Sequence, residues 1–515
     1  MIGSRFTQAS IAVAMMLAIM PLAGGRAQTP AIPVPTYSEA DWAAIVQQAR
    51  STVDAESPAS AFPFRTSRPG ASGPLVVAHY FPPFPLSIDN APTASDYYAV
   101  QYLRPEGENG KFAAQRGYLR ERPLATNTEP EDRYVATNLA IEIARAARIG
   151  IDAFGVDLLT IAPSQRLWAN TRLMLDVAHR VSPEFRLIPE PDMAMLKDAS
   201  VEEMTSALAR FADHPASYRL NDGRMLVMPL NTGDRGPGYW HAVRQAMAAR
   251  GTPIALVFDY IDPSGLQTYA PESWGASIWG DRDPKAGAVA LAMQGKARQA
   301  GITHWFMPVA PQDERPKDYL YIEARNSEAY RAEWAAAIAA HATGVHLITW
   351  NDYSEATEIS PSSFTQFLFY DLTAYYIAWL KRGAPPPIQR DALYYVQRRQ
   401  ILDPGDTRRG RGPQLRGGTP LANDVELLGL LKAPGTLSVT SGDRTVTQVV
   451  PAGLSSVRIS ASVGRPSFSL SRDGRRLLSL TSGWTIAADP ASHDPTYGGG
   501  SSTRAIVTVP GAAPR

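Results

Sequence analysis

Two carboxylic acids stand three positions apart in Trp350-Asn351-Asp352-Tyr353-Ser354-Glu355, at the end of an apolar run and flanked by aromatic residues. Cleavage of a glycosidic bond needs one protonated carboxyl to release the leaving oxygen and one carboxylate to activate water or attack directly. Asp352 and Glu355 are the candidates for these roles. On a single turn both can face one cleft, and their mutual repulsion in a partly dry site would split their protonation equilibria. Their position leaves two geometries open: about 6.5 to 9.5 Å, which admits a water, or about 5 to 5.5 Å, which suits direct attack. In isolation the same residues also fit a loop-capping Asp beside a solvated Glu.

Further acids and aromatics occupy equivalent places at the ends of other apolar runs. His79 and Tyr80 close the run at 75–81, Asp157 that at 151–159, and Glu190 with Asp192 that at 185–193. Asn231, Asp259 with Asp262, and Trp279 with Asp281 follow in the same way. Leaving out Asp262 and Asp281, these residues together with Trp350, Asn351 and Tyr353 form the expected substrate-binding set, because sugar hydroxyls need paired acceptors and pyranose faces stack on aromatic rings.

The elements that must position these groups are legible as an alternation. Eight apolar, strand-like runs (75–81, 151–159, 185–193, 224–231, 253–261, 274–281, 303–311 and 344–355) are separated by stretches of helical period at 134–148, 166–180, 201–212, 239–250, 285–300 and 327–341. Gly150, Gly251, Gly301 and Gly344 are read as helix stops. The pattern predicts an α/β fold, a (β/α)8 barrel, whose reactive groups sit at the carboxyl ends of the strands. No Gly-rich phosphate loop follows the first strand, so an open nucleotide-binding sheet and a nucleotide cofactor are not expected.

Composition closes other routes. Fifty Lys and Arg against 49 Asp and Glu leave no net field to gather nucleic acid. The absence of cysteine removes disulfides, thiolate metal sites and cysteine nucleophiles. The eight histidines form no H-E-x-x-H pair, and neither a G-x-S-x-G elbow nor a D-x-D-x-D-G calcium loop occurs. No cofactor and no metal are expected.

The chain divides by composition. Residues 1–27 carry Arg5, an apolar run at 11–22 and small residues at 25 and 27, the pattern of a signal peptide. A secreted or periplasmic monomer without a membrane segment after cleavage is therefore expected, acting on a polysaccharide or oligosaccharide. A leader spans 28–70 and the barrel 71–400. The barrel is interrupted at 82–132 by a long insertion bearing Asp89, Tyr97, Tyr98, Tyr102, Tyr118, Arg120 and Arg122, which is read as a lid over the carboxyl ends or as a peripheral packing or dimerisation insert. A Gly- and Arg-rich linker at 401–420 precedes short alternating segments at 421–510, read as a small β-sandwich that serves as structural support or, alternatively, binds carbohydrate.

The segments LITWNDYSEATEISPS and YDLTAYYIAWLKRGAPPPIQRDALYYVQRR resemble the bacterial branch of glycoside hydrolase family 71, the α-1,3-glucanases or mutanases. VVAHYF, GIDAFGVDLL, FRLIPEPDM and FMPVAPQ are similar to that family's first, second, third and seventh strands, and LLKAPGTLSVTSG and FSLSRDG to its terminal β domain. The resemblance covers about 75–490. It implies inverting hydrolysis of α-1,3-glucosidic bonds at a metal-independent site, with Glu355 as acid and Asp352 as base. Two departures fall where substrate would sit. The insertion after His79 is longer than in typical fungal members, and Glu190-Pro191-Asp192 replaces a Ser-Phe-Asp-like triplet. An endo-α-mannosidase-like hydrolase and a noncatalytic glycan-binding protein are the alternatives.

Overall fold

The computed structural model describes residues 30–82, 104, 106–110, 112–113, 119–124, 133–232, 235–409 and 411–507. The segment read as a signal peptide, and Asp89, Tyr97, Tyr98, Tyr102 and Tyr118 of the insertion, lie outside the described residues.

Seven parallel strands follow one another: β1 (Leu75–Tyr80), β2 (Ala153–Leu158), β3 (Arg186–Pro191), β4 (Met225–Val227), β5 (Ile254–Tyr260), β6 (Gly275–Ile278) and β7 (His304–Val309). A short hairpin, β8 (Asp313–Arg315) and β9 (Leu320–Ile322), then precedes β10 (Gly344–Leu347), which returns to pair between β7 and β1. The eight-stranded sheet runs β3-β2-β1-β10-β7-β6-β5-β4. It closes where Met228 and Leu230, just past β4, donate to the carbonyls of Pro189 and Pro191 on β3, each at 3.0 Å. The predicted (β/α)8 barrel is present.

Its helices lie where the apolar period places them, for example Tyr134–Arg148, Arg166–Val181 and Val201–Ala212. The last of these starts on a capping box in which Ser200 Oγ accepts from Glu203 N and Glu203 Oε2 accepts from Ser200 N, so two end donors are satisfied reciprocally. Gly150, Gly251 and Gly301 end helices with positive φ, as expected. Gly344 does not. The preceding helix, Glu328–Ala339, ends earlier, and Gly344 opens β10. A Cβ there would lie 2.5 Å from Phe306 and 2.7 Å from the Leu75 carbonyl, so close strand packing, not a helix stop, requires glycine.

Side chains alternate along each strand. The inward set at the amino-terminal end is apolar: Val77, Ala153, Ile188, Leu226, Met228, Ala255, Val257 and Phe306 pack as one cluster. One step further along the same strands the inward positions become His79, Asp157, Glu190, Asp259 and His346, all buried. The barrel is thus plugged below by hydrocarbon and lined above by titratable groups.

Past the barrel come β11 (Ala392–Gln397), β12 (Gln414–Arg416), β13 (Asp424–Leu431), β14 (Gly435–Ser441), β15 (Arg444–Val450), β16 (Gly453–Ser460), β17 (Ser467–Arg472), β18 (Arg475–Thr481) and β19 (Gly498–Ser501). All but β12 form two antiparallel sheets, β16-β13-β11-β19 and β15-β14-β17-β18, whose facing sides enclose Leu393, Tyr395, Leu427, Leu437, Val439, Phe468 and Leu470. The first sheet includes β11, which the sequence reading put within 71–400. Leu393 and Tyr395 point into the sandwich, while Ala392, Tyr394 and Val396 belong to the barrel core. A strand buried on both faces reads as one apolar run and hides its allegiance. The stretch at 401–420 is likewise more than a tether, since its β12 pairs in parallel with β9 of the barrel hairpin.

Candidate active site

The turn after β10 holds the two carboxylates in a defined pose. Asp352 N donates to Thr349 Oγ1 at 2.8 Å, and Asp352 Oδ1 accepts from Ser354 N (3.0 Å), Ser354 Oγ (2.7 Å) and Glu355 N (3.2 Å). Three donors converging on one oxygen fix the orientation of this carboxylate. Glu355 is pinned from the other side: its carbonyl accepts from Glu314 N at 2.8 Å, and its Oε2 lies 2.8 Å from Arg315 Nη2. Burial raises the Glu355 carboxyl; Arg315 opposes this, and Asp352 and Asp313 add to it, leaving it pushed up to about 7.

Beneath the turn lies the polar tier of the barrel. His79 Nδ1 meets Glu190 Oε2 at 2.8 Å, and its Nε2 is 3.7 Å from Asp157. His346 lies between Glu190 (3.4 Å) and Asp259 (3.6 Å). Burial disfavours the His79 cation, but Glu190, helped by Asp157 and Asp259, outweighs it and pushes His79 up to about 9. Burial likewise opposes the Glu190 anion, yet His79 and His346 hold it below the usual carboxylate range. The remaining members are pushed toward neutrality, chiefly by burial: Asp259 up to about 8, Asp157 well up with Asp192 adding to it, and His346 down to about 4. One ion pair surrounded by neutral groups is the arrangement a low-dielectric lumen tolerates. Gly155 makes room for it, since a Cβ there would lie 2.7 Å from Glu190 Oε2.

Trp279, half-buried after β6, sets its ring edge-on to His79 with centroids 4.9 Å apart. Asp192, slightly exposed beyond β3, accepts from Ala194 N at 2.8 Å and is raised by burial. His79, Asp157, Glu190, Asp192, Asp259, Trp279, Asp352 and Glu355 are therefore brought together, as the strand-end reading required. Asn231, four residues past β4, is half-exposed with φ 49°, its N–H bonded to the Asp259 carbonyl.

Four expected substrate contacts are corrected. Tyr80 is the neighbour of an inward His79 and so points outward, against Phe154. Trp350 is fully buried on Phe154 and Tyr370 and donates its indole N–H to Glu142. Tyr353 is buried in the electrostatic reach of that same Glu142. Asn351 clamps the end of β1, accepting from Phe81 N at 2.7 Å and donating to Phe81 O at 2.9 Å. All four build the support behind the turn and none lines the lumen. Of the insertion, Arg120 and Arg122 are buried; Arg120 donates to the His493 carbonyl at 2.6 Å and Arg122 accepts through its carbonyl from Ser363 N, so both bind framework.

Several groups escaped the sequence reading. His346 was one scattered histidine among eight; its inward parity on β10 was the available signal. Asp313, Arg315 and the buried Arg282 follow the carboxyl ends of β7 and β6, where polar residues drew no role because no motif marks them. His79, Glu190 and His346 bring nitrogen and oxygen ligand atoms within 4.8 Å of one another, a donor set capable of holding a cation, although the His79–Glu190 separation is itself that of a hydrogen bond.

A family model for glycosyl hydrolase family 71 matches residues 128–494, more than half of the chain and inclusive of the Asp352–Glu355 turn. The chain belongs to glycosyl hydrolase family 71. It is a glycoside hydrolase whose substrate is a polysaccharide. Among relatives, a mutanase of Penicillium rubens is 25% identical over 413 residues, spanning 70% of this chain and 86% of the mutanase. The ascus wall endo-1,3-alpha-glucanase of Schizosaccharomyces pombe is 22% identical over 245 residues, 45% of this chain and 55% of that protein. Among solved structures, a GH99 endo-alpha-mannosidase of Bacteroides thetaiotaomicron superposes with a TM-score of 0.46 at 15% identity, covering 60% of this chain and 98% of that one. No helix among the described residues of this family 71 chain is long and apolar enough to cross a membrane.

Proposed function

We propose that this enzyme hydrolyses α-1,3-glucosidic bonds of an α-glucan outside the cytoplasm, with inversion of configuration, using Glu355 as general acid and Asp352 as general base. The observation that carries the reading is the turn after β10. It presents one carboxyl raised to about 7, suited to hold a proton near neutrality, beside one carboxylate immobilised by three donors. The linkage is supported by the activities of the two related glucanases. Export is supported by the apolar segment near the amino terminus.

In the proposed reaction Glu355 protonates the departing glycosidic oxygen while Asp352 takes a proton from a water attacking the opposite face of the sugar. Half-buried Trp279 stands beside His79 as an aromatic surface for the sugar, above a lumen whose charges are confined to the His79–Glu190 pair. Purified protein is to be incubated with α-1,3-glucan, dextran, starch and α-mannan, and reducing ends measured. Release from α-1,3-glucan, with a β-anomer as the first proton NMR signal, is expected. Release from α-mannan alone would transfer the reading to a mannan hydrolase, binding without release would make this a glycan-binding protein, and an initial α-anomer would overturn inversion.

A further inference from the structure

The β8–β9 hairpin delivers a cation to the catalytic turn that the two-carboxylate chemistry does not itself require. Arg315 is 8% exposed, and its Nε and Nη2 fork onto Asp313 Oδ1 and Oδ2 at 2.9 and 2.8 Å. The same Nη2 lies 2.8 Å from Glu355 Oε2, and between the two Arg315 contacts the backbone of Glu314 bonds the Glu355 carbonyl. The hairpin is held in turn by the sandwich side. Gln312 accepts from Tyr497 N at 2.8 Å and donates to Tyr497 O at 2.9 Å, and β12 pairs along β9.

A guanidinium has donors and no acceptor. An oxygen facing it accepts, and a proton on that oxygen would meet another N–H. We propose that Arg315 is a positioning residue which, by engaging Oε2 of Glu355, confines the acid proton to Oε1 and holds the carboxyl in the orientation that delivers it. This rests on the reading of Glu355 as the general acid. Four charged groups face Glu355: Arg315 and Asp313 from the hairpin, Arg282 from the loop after β6, and Asp352 on its own turn. Arg315 and Arg282 stabilise the anion, whereas Asp352 and Asp313 disfavour it. Arg416 on β12 adds a further cation beside Asp313.

Two neighbours of opposite sign on one hairpin give a test that a merely structural role cannot mimic. The pH dependence of kcat/KM on α-1,3-glucan is to be measured for wild type, Arg315→Met, Arg315→Lys and Asp313→Asn. Arg315→Met removes the cation, so the alkaline limb moves up by about one unit or more, as expected for loss of an opposite charge within reach, and kcat falls with KM little changed. Asp313→Asn removes a like charge and leaves Arg315 to Glu355, so the limb moves down. Arg315→Lys keeps the charge without the fork and returns the limb toward wild type while kcat stays reduced. Limbs that overlay wild type in both Arg315→Met and Asp313→Asn would overturn the proposal, and the second variant decides it should the first not fold. Absence of any α-glucan hydrolysis by wild type would instead defeat the reading of function on which it rests.

Discussion

Replacing Gly155 by alanine should disrupt the lumen by an amount the structure allows to be worked out. An ideal Cβ at this position lies 2.7 Å from Glu190 Oε2 and 3.3 Å from its carboxyl carbon. Ordinary contact is about 3.5 Å or more between such atoms, so the carboxylate must retreat by roughly 0.8 Å, or β2 must bend. Retreat lengthens the 2.8 Å bond to His79, a pair fully buried on both sides. Overpacking a core costs about 1–3 kcal/mol, and a hydrogen bond between charged groups contributes about 1.5–3 kcal/mol. A total loss of about 2–5 kcal/mol is expected when the two overlap in part. Urea denaturation of wild type and Gly155→Ala measures it. A double-mutant cycle with Glu190→Ala isolates the clash: the single Glu190→Ala change should itself cost about 3–5 kcal/mol by stranding the His79 cation, yet in that background Gly155→Ala should cost almost nothing. An alanine variant within about 0.5 kcal/mol of wild type, or equal costs in both backgrounds, would refute the assignment of Gly155 as the space that Glu190 occupies.

Three further outcomes are expected. Glu355→Gln should lower kcat on a natural glucan by a factor on the order of 10² or more, as removal of a general acid does, and most of the rate should return with an activated aryl leaving group that needs no proton. Because the acid must carry its proton and Glu355 is pushed up to about 7, kcat/KM should fall about tenfold per unit above that pH. Arg504→Ala removes the partner of buried Asp371, to which it is paired at 2.6 Å, and should lower stability by about 3–5 kcal/mol in denaturation, with activity at low temperature retained.

The barrel could be read from the chain because its two periods are explicit. Runs such as LVVAHY and IALVFDY stand between amphipathic helices, and a closed parallel barrel buries each strand on both faces. The acids at strand ends followed from topology alone. What the sequence left ambiguous was the direction of each side chain around those ends. Tyr80 and His79 are adjacent and chemically equally eligible, but only one can face the lumen. Trp350 and Tyr353 lie on the turn past β10, where strand parity no longer applies and only the position of Glu142 on a distant helix explains their burial. Arg315 and Asp313 were hidden for a different reason. A positioning contact between a hairpin after β7 and a turn after β10 has no local pattern, being a product of chain return.

The clamp between Gln312 and Tyr497 bears on how such a chain can be cut and recombined. A detachable module is joined by a flexible tether and leaves both parts whole when it is removed. Here the sandwich supplies a strand-like staple to the hairpin beside the acid, the Arg398 partner of Glu323 at 2.9 Å, and the Arg504 partner of Asp371. Truncation near residue 400 would strip Glu323 of the Tyr497 hydroxyl and of Ala422 N, leave Asp371 without Arg504, and free the loop on which Asp313 and Arg315 sit. An enzyme engineer seeking a minimal catalyst should therefore keep the terminal sheets and shorten elsewhere, for in this chain the contacts that complete the barrel run past its last helix as far as Arg504.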